Sequence, residues 1–587
     1  MIKRAGVLLV FFCLVLATRV EAGEDFETSF NVRYELAETG KTKVKQEVTL
    51  INKSADVYAT HYAFGVSARP EKVTASQNGR RLETETREKG SDVEVVVAFG
   101  EPILGKGKKL TFQLDYDLEG LARKNGQIWE INLPRLKSAD EMDQYNLTLA
   151  VPASFGAPAI FKPFQPQERE ENGYRLYFFD KQSLINGGVS AAFGDFQTFN
   201  FALDYHLSNP YGEKIIMEIA LPPDTTWQKM IYNRLEPEPE EIRVDEDGNW
   251  LAKYKLLAKQ KLNVTAGGQA LIFAQPQSDY RYWLAEPDES YLQEQNFWPV
   301  NDFLIREKAK ELKTAKEIYA WVVRQLDYDF SRVEKNTARL GAKQALAKPN
   351  EAICMEFTDL FVTLARAAGI PAREVEGYAY TTNPQLKPLS LVSDILHAWP
   401  EFWDEEKGLW RPVDPTWEKT TGGVDFFTKT DLNHFVFVIH GQSSEEPYPA
   451  GTYRGQEAEG KDVQVSYGNY PGVITEPEIE VKITVPEKII EGKEEKIKII
   501  LYNKGEIAKY DYVVELKTGG QGENWRIPVL PPKAKKTIET SLKTQTKWRQ
   551  QQKELKVMAD GKSYDRQITI GSYQDRWLFW IKNLFDK

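Results

Sequence analysis

The sequence predicts a multidomain fold, an α+β core flanked on both sides by all-β sandwich domains. Three observations carry this. At 587 residues the chain exceeds what one hydrophobic core can organise, and about three to five domains are expected. Apolar and polar residues alternate strand-fashion before residue 280 and again after residue 478. Between residues 285 and 442 the period becomes helical and then reverts to that of strands, the signature of an α+β unit.

Residues 1–22 read as a cleaved secretory signal. Lys3 and Arg4 precede an apolar run from Val7 to Leu16, and Val20-Glu21-Ala22 offers a peptidase its small residues. The run is shorter than the about 20 residues that span a bilayer. The rival reading is an uncleaved N-terminal anchor. A secreted or cell-surface location follows from the first reading.

Residues 23–197 read as a large antiparallel sandwich. Phe30 to Leu36, Val44 to Leu50 and Lys109 to Tyr116 alternate, and Gln77-Asn78-Gly79 is a hairpin turn signal. A second β domain covers 198–280. In it Asp245-Glu246-Asp247-Gly248-Asn249 is similar to part of a calcium loop but lacks the distal Glu, so a hairpin turn is expected. Within 285–442 one helix is expected over Glu307–Leu326, a shorter one over Ala338–Ala347, and a third starting near Cys354. A stretch rich in Pro, Gly and Glu, 443–477, reads as linker. Residues 478–571 have the length and strand spacing of an Ig-like sandwich. Trp577, Trp580, Ile581, Leu584 and Phe585 then recur at helical spacing within 572–587. Such an amphipathic helix either makes a peripheral membrane contact or packs on its own domain.

The formal charge is −10. Loss of residues 1–22, with Lys3, Arg4 and Arg19 against Glu21, makes it −12. No basic patch offsets this, and no nucleic acid is expected as a partner. Of two cysteines, Cys13 leaves with the signal, so the mature chain has a lone thiol, Cys354, and no internal disulfide.

From Cys354 to Gly369, Phe357, Phe361, Leu364, Ala365 and Ala368 share one helical face, and Gly369 is placed to stop the helix. Cys354 lies on the first turn, where unpaired N–H groups and the positive end of the helix dipole favour a thiolate and can receive an oxyanion. A small buried core residue would fit the same spacing. His397 decides between the two. His397 to Trp403 and Leu409 to Asp414 read as a hairpin, whose loop of four or five residues sets Asp414 or Pro415 opposite the imidazole. Asp414 can then orient His397, and His397 can take the thiol proton.

The stretch Ala352 to Tyr380, with Cys354, Arg366, Gly369-Ile370-Pro371-Ala372-Arg373 and Gly377-Tyr378, resembles the transglutaminase-like superfamily. His397-Ala398-Trp399-Pro400-Glu401, followed by Trp410 and Val413-Asp414-Pro415-Thr416, resembles it as well. The resemblance covers about residues 285–440 and implies a papain-like core with Cys354 as nucleophile, His397 as base and Asp414 as orienter. One departure is Ile353, where the family often has Gly.

Trp399 and Trp410 are candidates to line a substrate cleft, with core packing as the other reading. His61, His206, His434 and His440 read as surface or packing residues. No metal-ligand spacing is visible and no cofactor is expected. The implied reaction is attack on a peptide or protein amide, with water or an amine as acceptor. The competing reading is an idle transglutaminase-like scaffold whose β domains bind protein or glycan.

Overall fold

The computed structural model describes residues 25–571 and residue 577, except 67, 90–91, 135, 137–141, 163–166, 186–187, 278–285, 334–337, 381–395, 422, 430, 454–460, 487, 490–493, 519–520 and 544–550. The expected signal and the expected C-terminal helix lie outside these residues, apart from Trp577. Among the described residues no helix is long and apolar enough to cross a membrane. They divide into two compact units, one of 25–197 with 417–432, the other of 198–380, 396–416 and 433 onward.

The first unit is built on a ten-stranded sheet and a four-stranded one. Its first strand, Phe26–Leu36, buries Phe26, Phe30 and Val32 on one face, as alternation requires. It pairs antiparallel with Thr42–Asn52 but parallel with Gln144–Pro152, so the sheet is mixed rather than purely antiparallel. Local alternation specifies faces, and it is silent on the direction of a partner more than a hundred residues away. The turn at Asn78-Gly79 has both residues at positive φ and joins Glu71–Gln77 to Arg80–Lys89.

The second unit holds the second β domain, the α+β core and the C-terminal strands. The β domain has a three-stranded and a four-stranded sheet. The outer strand of the latter, Val463–Tyr467, comes from the stretch read as linker and pairs with Phe199–Leu203. Its short run, Val463-Gln464-Val465-Ser466-Tyr467, is masked in the sequence by the Gly and Pro around it. The C-terminal strands form a three-stranded and a five-stranded sheet, in keeping with the expected sandwich.

In the core, the expected helix Glu307–Leu326 is two helices, Phe303–Glu311 and Ala315–Gln325. The break is chemical. Thr314 accepts from the Glu317 backbone N–H while the Glu317 carboxylate accepts from the Thr314 N–H, a reciprocal cap that restarts the helix. Helix Cys354–Ala367 is buried along most of its length and packs on a four-stranded sheet. That sheet runs, edge to edge, Leu409–Pro412, Leu396–Asp404, Ala372–Ala379 and His434–His440. Gly377 lies at its centre, opposite His397. A Cβ there would sit 2.1 Å from the Phe435 carbonyl oxygen and 2.9 Å from the Trp399 ring, which is why only glycine fits.

The β domain is tied to the outer edge of this sheet by side chains. The Gln228 carboxamide donates to the Val436 carbonyl and accepts from the Val436 N–H, at 3.0 and 2.8 Å. Asn249 does the same at Ile439, both at 2.8 Å. Asp247 accepts from the backbone N–H groups of Gly441 and Gln442 and from the Tyr291 hydroxyl. The Asp245–Asn249 loop is thus the hairpin turn expected between Glu241–Val244 and Trp250–Leu256, with its Asp247 and Asn249 side chains spent on protein partners.

Candidate active site

Cys354 is the first residue of its helix, half-buried, with its thiol free. The start is fixed by Glu356, whose carboxylate accepts from the Ile353 N–H at 2.9 Å and from the Leu340 N–H at 2.8 Å. A carboxylate reaching back to the residue before the helix satisfies that residue's own N–H, the half of a capping box that needs no polar side chain at Ile353. Gly369, at φ +82°, ends the helix as its position predicts.

His397 is 5% exposed and Asp414 3%. The ring Nε2 lies 2.8 Å from Asp414 Oδ2, which leaves Nδ1 for the hydrogen bond to Cys354 that also acts on the ring. The route of Asp414 to the ring differs from the ladder argument. The hairpin pairs Asp404 with Leu409 and Glu401 with Pro412, a register that, continued, would set residue 416 opposite His397. The ladder runs out just beyond Pro412: Val413 still donates to the Pro400 carbonyl at 3.0 Å, but Pro400 has no N–H to return. Asp414 reaches the ring from the short turn before helix Pro415–Thr421. Its backbone carbonyl accepts from the buried Tyr319 hydroxyl at 2.9 Å.

The charges follow from this geometry. Burial disfavours the imidazolium, but the Asp414 charge and hydrogen bonds to Asp414 and Cys354 outweigh it, holding His397 up at about 9. Burial alone would raise Asp414. The His397 charge and hydrogen bonds from His397 and His434 instead bring it to about 2. Tyr328, bridged through its backbone to Ala352, is pushed well above the ordinary phenol range by burial and by the acidic groups near it, Glu356 and Asp414 among them.

Trp399 and Trp410, expected as cleft residues, do not face solvent. They are 2% and 3% exposed. Trp399 packs in a core cluster with Val375, Val436 and Ile439 and stacks behind the His397 ring at 5.9 Å. Trp410 lies among Tyr291 and Trp403, under the Arg373 guanidinium at 4.2 Å. Both sit on the inward positions of paired strands, so their large apolar area goes to the core. Arg373 is also paired with Glu401, and Arg366 donates to the carbonyls of Ala372, Gln293 and Gly441. The arginines in the quoted motifs thus hold the core together.

His434 and His440, read as surface or packing residues, both bind carboxylates. His434 Nε2 lies 3.0 Å from Asp414 Oδ2, and His440 Nδ1 lies 3.4 Å from Glu374 Oε2. In the sequence they only flank one apolar run, His434–His440, which does not tell what that strand lies beside. Among the described residues two groups of ligand-type side chains therefore converge, His397 with Asp414 and His434, and Glu374 with Glu376 and His440. Each draws on separate strands or turns, which no local spacing reveals. In the first, the space between the donors is taken by hydrogen bonds. In the second, an Arg339 nitrogen lies 2.6 Å from Glu374 Oε2 and opposes a cation.

Residues 300–415 match the family model of the Transglutaminase-like superfamily, and residues 476–564 that of CARDB. Human Kyphoscoliosis peptidase is 27% identical over 140 residues, 23% of this chain and 20% of that protein. A Protein-glutamine gamma-glutamyltransferase of Pseudomonas aeruginosa is 37% identical over 79 residues, 13% of this chain and 12% of that protein. The chain therefore spans about a fifth, or less, of the length of these relatives. Among solved structures, a cysteine protease-like protein of Cytophaga hutchinsonii aligns with 15% identity and a TM-score of 0.28, over 47% of this chain and 99% of that one.

Proposed function

Since residues 300–415 are a transglutaminase-like domain, we propose that this chain is a cysteine-nucleophile enzyme that attacks peptide or protein amides through an acyl-enzyme. The observation that carries the proposal is the chain of contacts from Cys354 to His397 to Asp414, with the thiol at a helix start.

In this reading Cys354 Sγ attacks the amide carbonyl carbon and its proton passes to His397 Nδ1. The carbonyl oxygen gathers negative charge beside the Cys354 backbone N–H, one of the groups the helix leaves unpaired. Asp414 holds the imidazolium. His397 returns the proton to the departing amine, leaving a thioester on Cys354. Water then gives a carboxylic acid, or a lysine amine gives a new amide. Both acceptors use the same residues. The proposed substrate is a peptide or protein met outside the cytoplasm, in line with the leader-like residues 1–22.

The test is iodoacetamide labelling of Cys354 from pH 4 to 9, in wild type and His397→Ala, followed by incubation with a glutamine-containing peptide and a primary amine. Rapid labelling well below about pH 8.5, the free-thiol value, lost in the variant, is the expected result. Free ammonia without amine incorporation identifies a hydrolase, and incorporation identifies a transferase. Slow, ordinary thiol behaviour in both proteins overturns the proposal.

A further inference from the structure

Asp414 Oδ2 receives two imidazoles. His397 Nε2 approaches at 2.8 Å and His434 Nε2 at 3.0 Å. The two imidazoles lie beside each other, centroids 5.7 Å apart at 54°, and both meet the Trp399 indole. His434 meets Trp399 edge-on, with centroids 4.9 Å apart at 79°, and Trp399 stacks on His397 at 26°. The backbone that carries His434 is equally fixed. Its neighbour Phe435 packs on Phe199 and Phe201, and the next residue, Val436, is gripped by Gln228 on both backbone groups.

The terminal torsion of a carboxylate has broad minima, and each donor from a fixed element narrows them. A donor on another strand narrows them further and favours the anion, because a hydrogen bond to a carboxylate stabilises its charged form. The contacts of His434 run to the Asp414 carboxylate and to the His397 and Trp399 rings. We propose that His434 is a positioning residue, holding the Asp414 carboxylate in place and, through it, the orientation of the His397 ring. This inference rests on the function proposed above.

The test compares His434→Leu with His434→Gln, whose amide nitrogen reaches about as far as the ring Nε2. The chain has five histidines, few enough for ring nitrogen spectra of ¹⁵N-histidine protein to follow His397 through its titration. In His434→Leu, Cys354 labelling at neutral pH is expected to slow by up to about a hundredfold, the scale on which a misplacement of about 1 Å is felt. The His397 titration is expected to move away from the wild-type value. His434→Gln is expected to restore both, which a role in packing alone would not require. Should the leucine variant fail to fold, His434→Asn takes its place, since its shorter amide falls short of Asp414.

A leucine variant with the labelling profile and His397 titration of wild type overturns the proposal. If the His397 titration responds to His434→Leu while Cys354 of wild type labels as an ordinary thiol, the positioning role stands and the catalytic reading falls. The spectra report on the ring directly and need no turnover.

Discussion

The strand His434–His440 carries a histidine at each end, and each lies against a carboxylate, yet the two ends differ in kind. At the first end a single carboxylate, Asp414, serves His434 and His397, and His397 passes the connection on to a half-buried thiol. At the second end Glu374 meets His440 and Arg339. Arg339 in turn binds Asp359 on the Cys354 helix, and Asp359 accepts from the Trp298 indole at 2.8 Å. Both His397 and His440 are held up at about 9, in each case against the pull of burial. A perturbed histidine is therefore no mark of chemistry by itself. What separates the ends is a cysteine thiol at a helix start at one and a guanidinium, fixed between two acids, at the other.

The largest expected effect lies at the first end. Asp414→Asn should lower turnover by about 10⁴-fold, as loss of the orienting acid does in a triad, while thermal stability changes far less. Acyl-enzyme formation followed by mass spectrometry measures it, and near-normal turnover would remove Asp414 from the mechanism. At the second end the order reverses. Arg339→Met strands Asp359 and Glu374, both with fully buried side chains, and should cost about 3–5 kcal/mol of stability. Urea unfolding checks this, and a loss well below that range would mean the two acids share a proton instead.

The third prediction concerns both ends together. The folded pKa of about 9 for His397 and His440 lies above the ordinary 6.5, so folding favours their protonated forms. The stability they contribute is full below about pH 6.5 and is lost as pH rises through about 9. The Asp414 contribution runs the other way, present above 3.8 and lost as pH falls through about 2. Thermal melts of wild type should decline from pH 6.5 to 9.5, and His440→Gln should flatten part of that slope. The smallest effect is then on reactivity. Cys354 labelling in His440→Gln should stay within about twofold of wild type, since distant sites with no shared partner act independently. A larger change would show that the two ends communicate along the strand.

Much of the first end is legible in the sequence. Cys354 can be set at a helix start because the apolar residues behind it repeat at helical spacing and Gly369 ends the run. His397 and Asp414 can be joined because one hairpin brings the chain back to within two residues of Asp414, although the carboxylate meets the ring from the turn beyond it. His434 is not legible, because it arrives on a strand that pairs with the far side of the Ala372–Ala379 strand, a choice made by the whole sheet. Trp399 and Trp410 mislead for a related reason. Tryptophan near a nucleophile suits a cleft and a core equally, and only the pairing of strands decides which way it turns. The reciprocal cap at Thr314 and Glu317 was written in the residues but overridden by a hydrophobic period that runs unbroken across it. The strand Val463–Tyr467 is too short to stand out among the prolines and glycines around it.

The carboxamides of Gln228 and Asn249 have a consequence for how this sheet meets other chains. An edge strand ordinarily presents open backbone groups that invite a further strand, whether from a substrate or from a second copy. Here the outward groups of Val436 and Ile439 are already occupied by side chains that imitate a neighbouring backbone. The edge is plugged. An extended polypeptide cannot zip onto this side of the sheet, and the same plugs protect a Val- and Phe-rich strand from edge-to-edge aggregation.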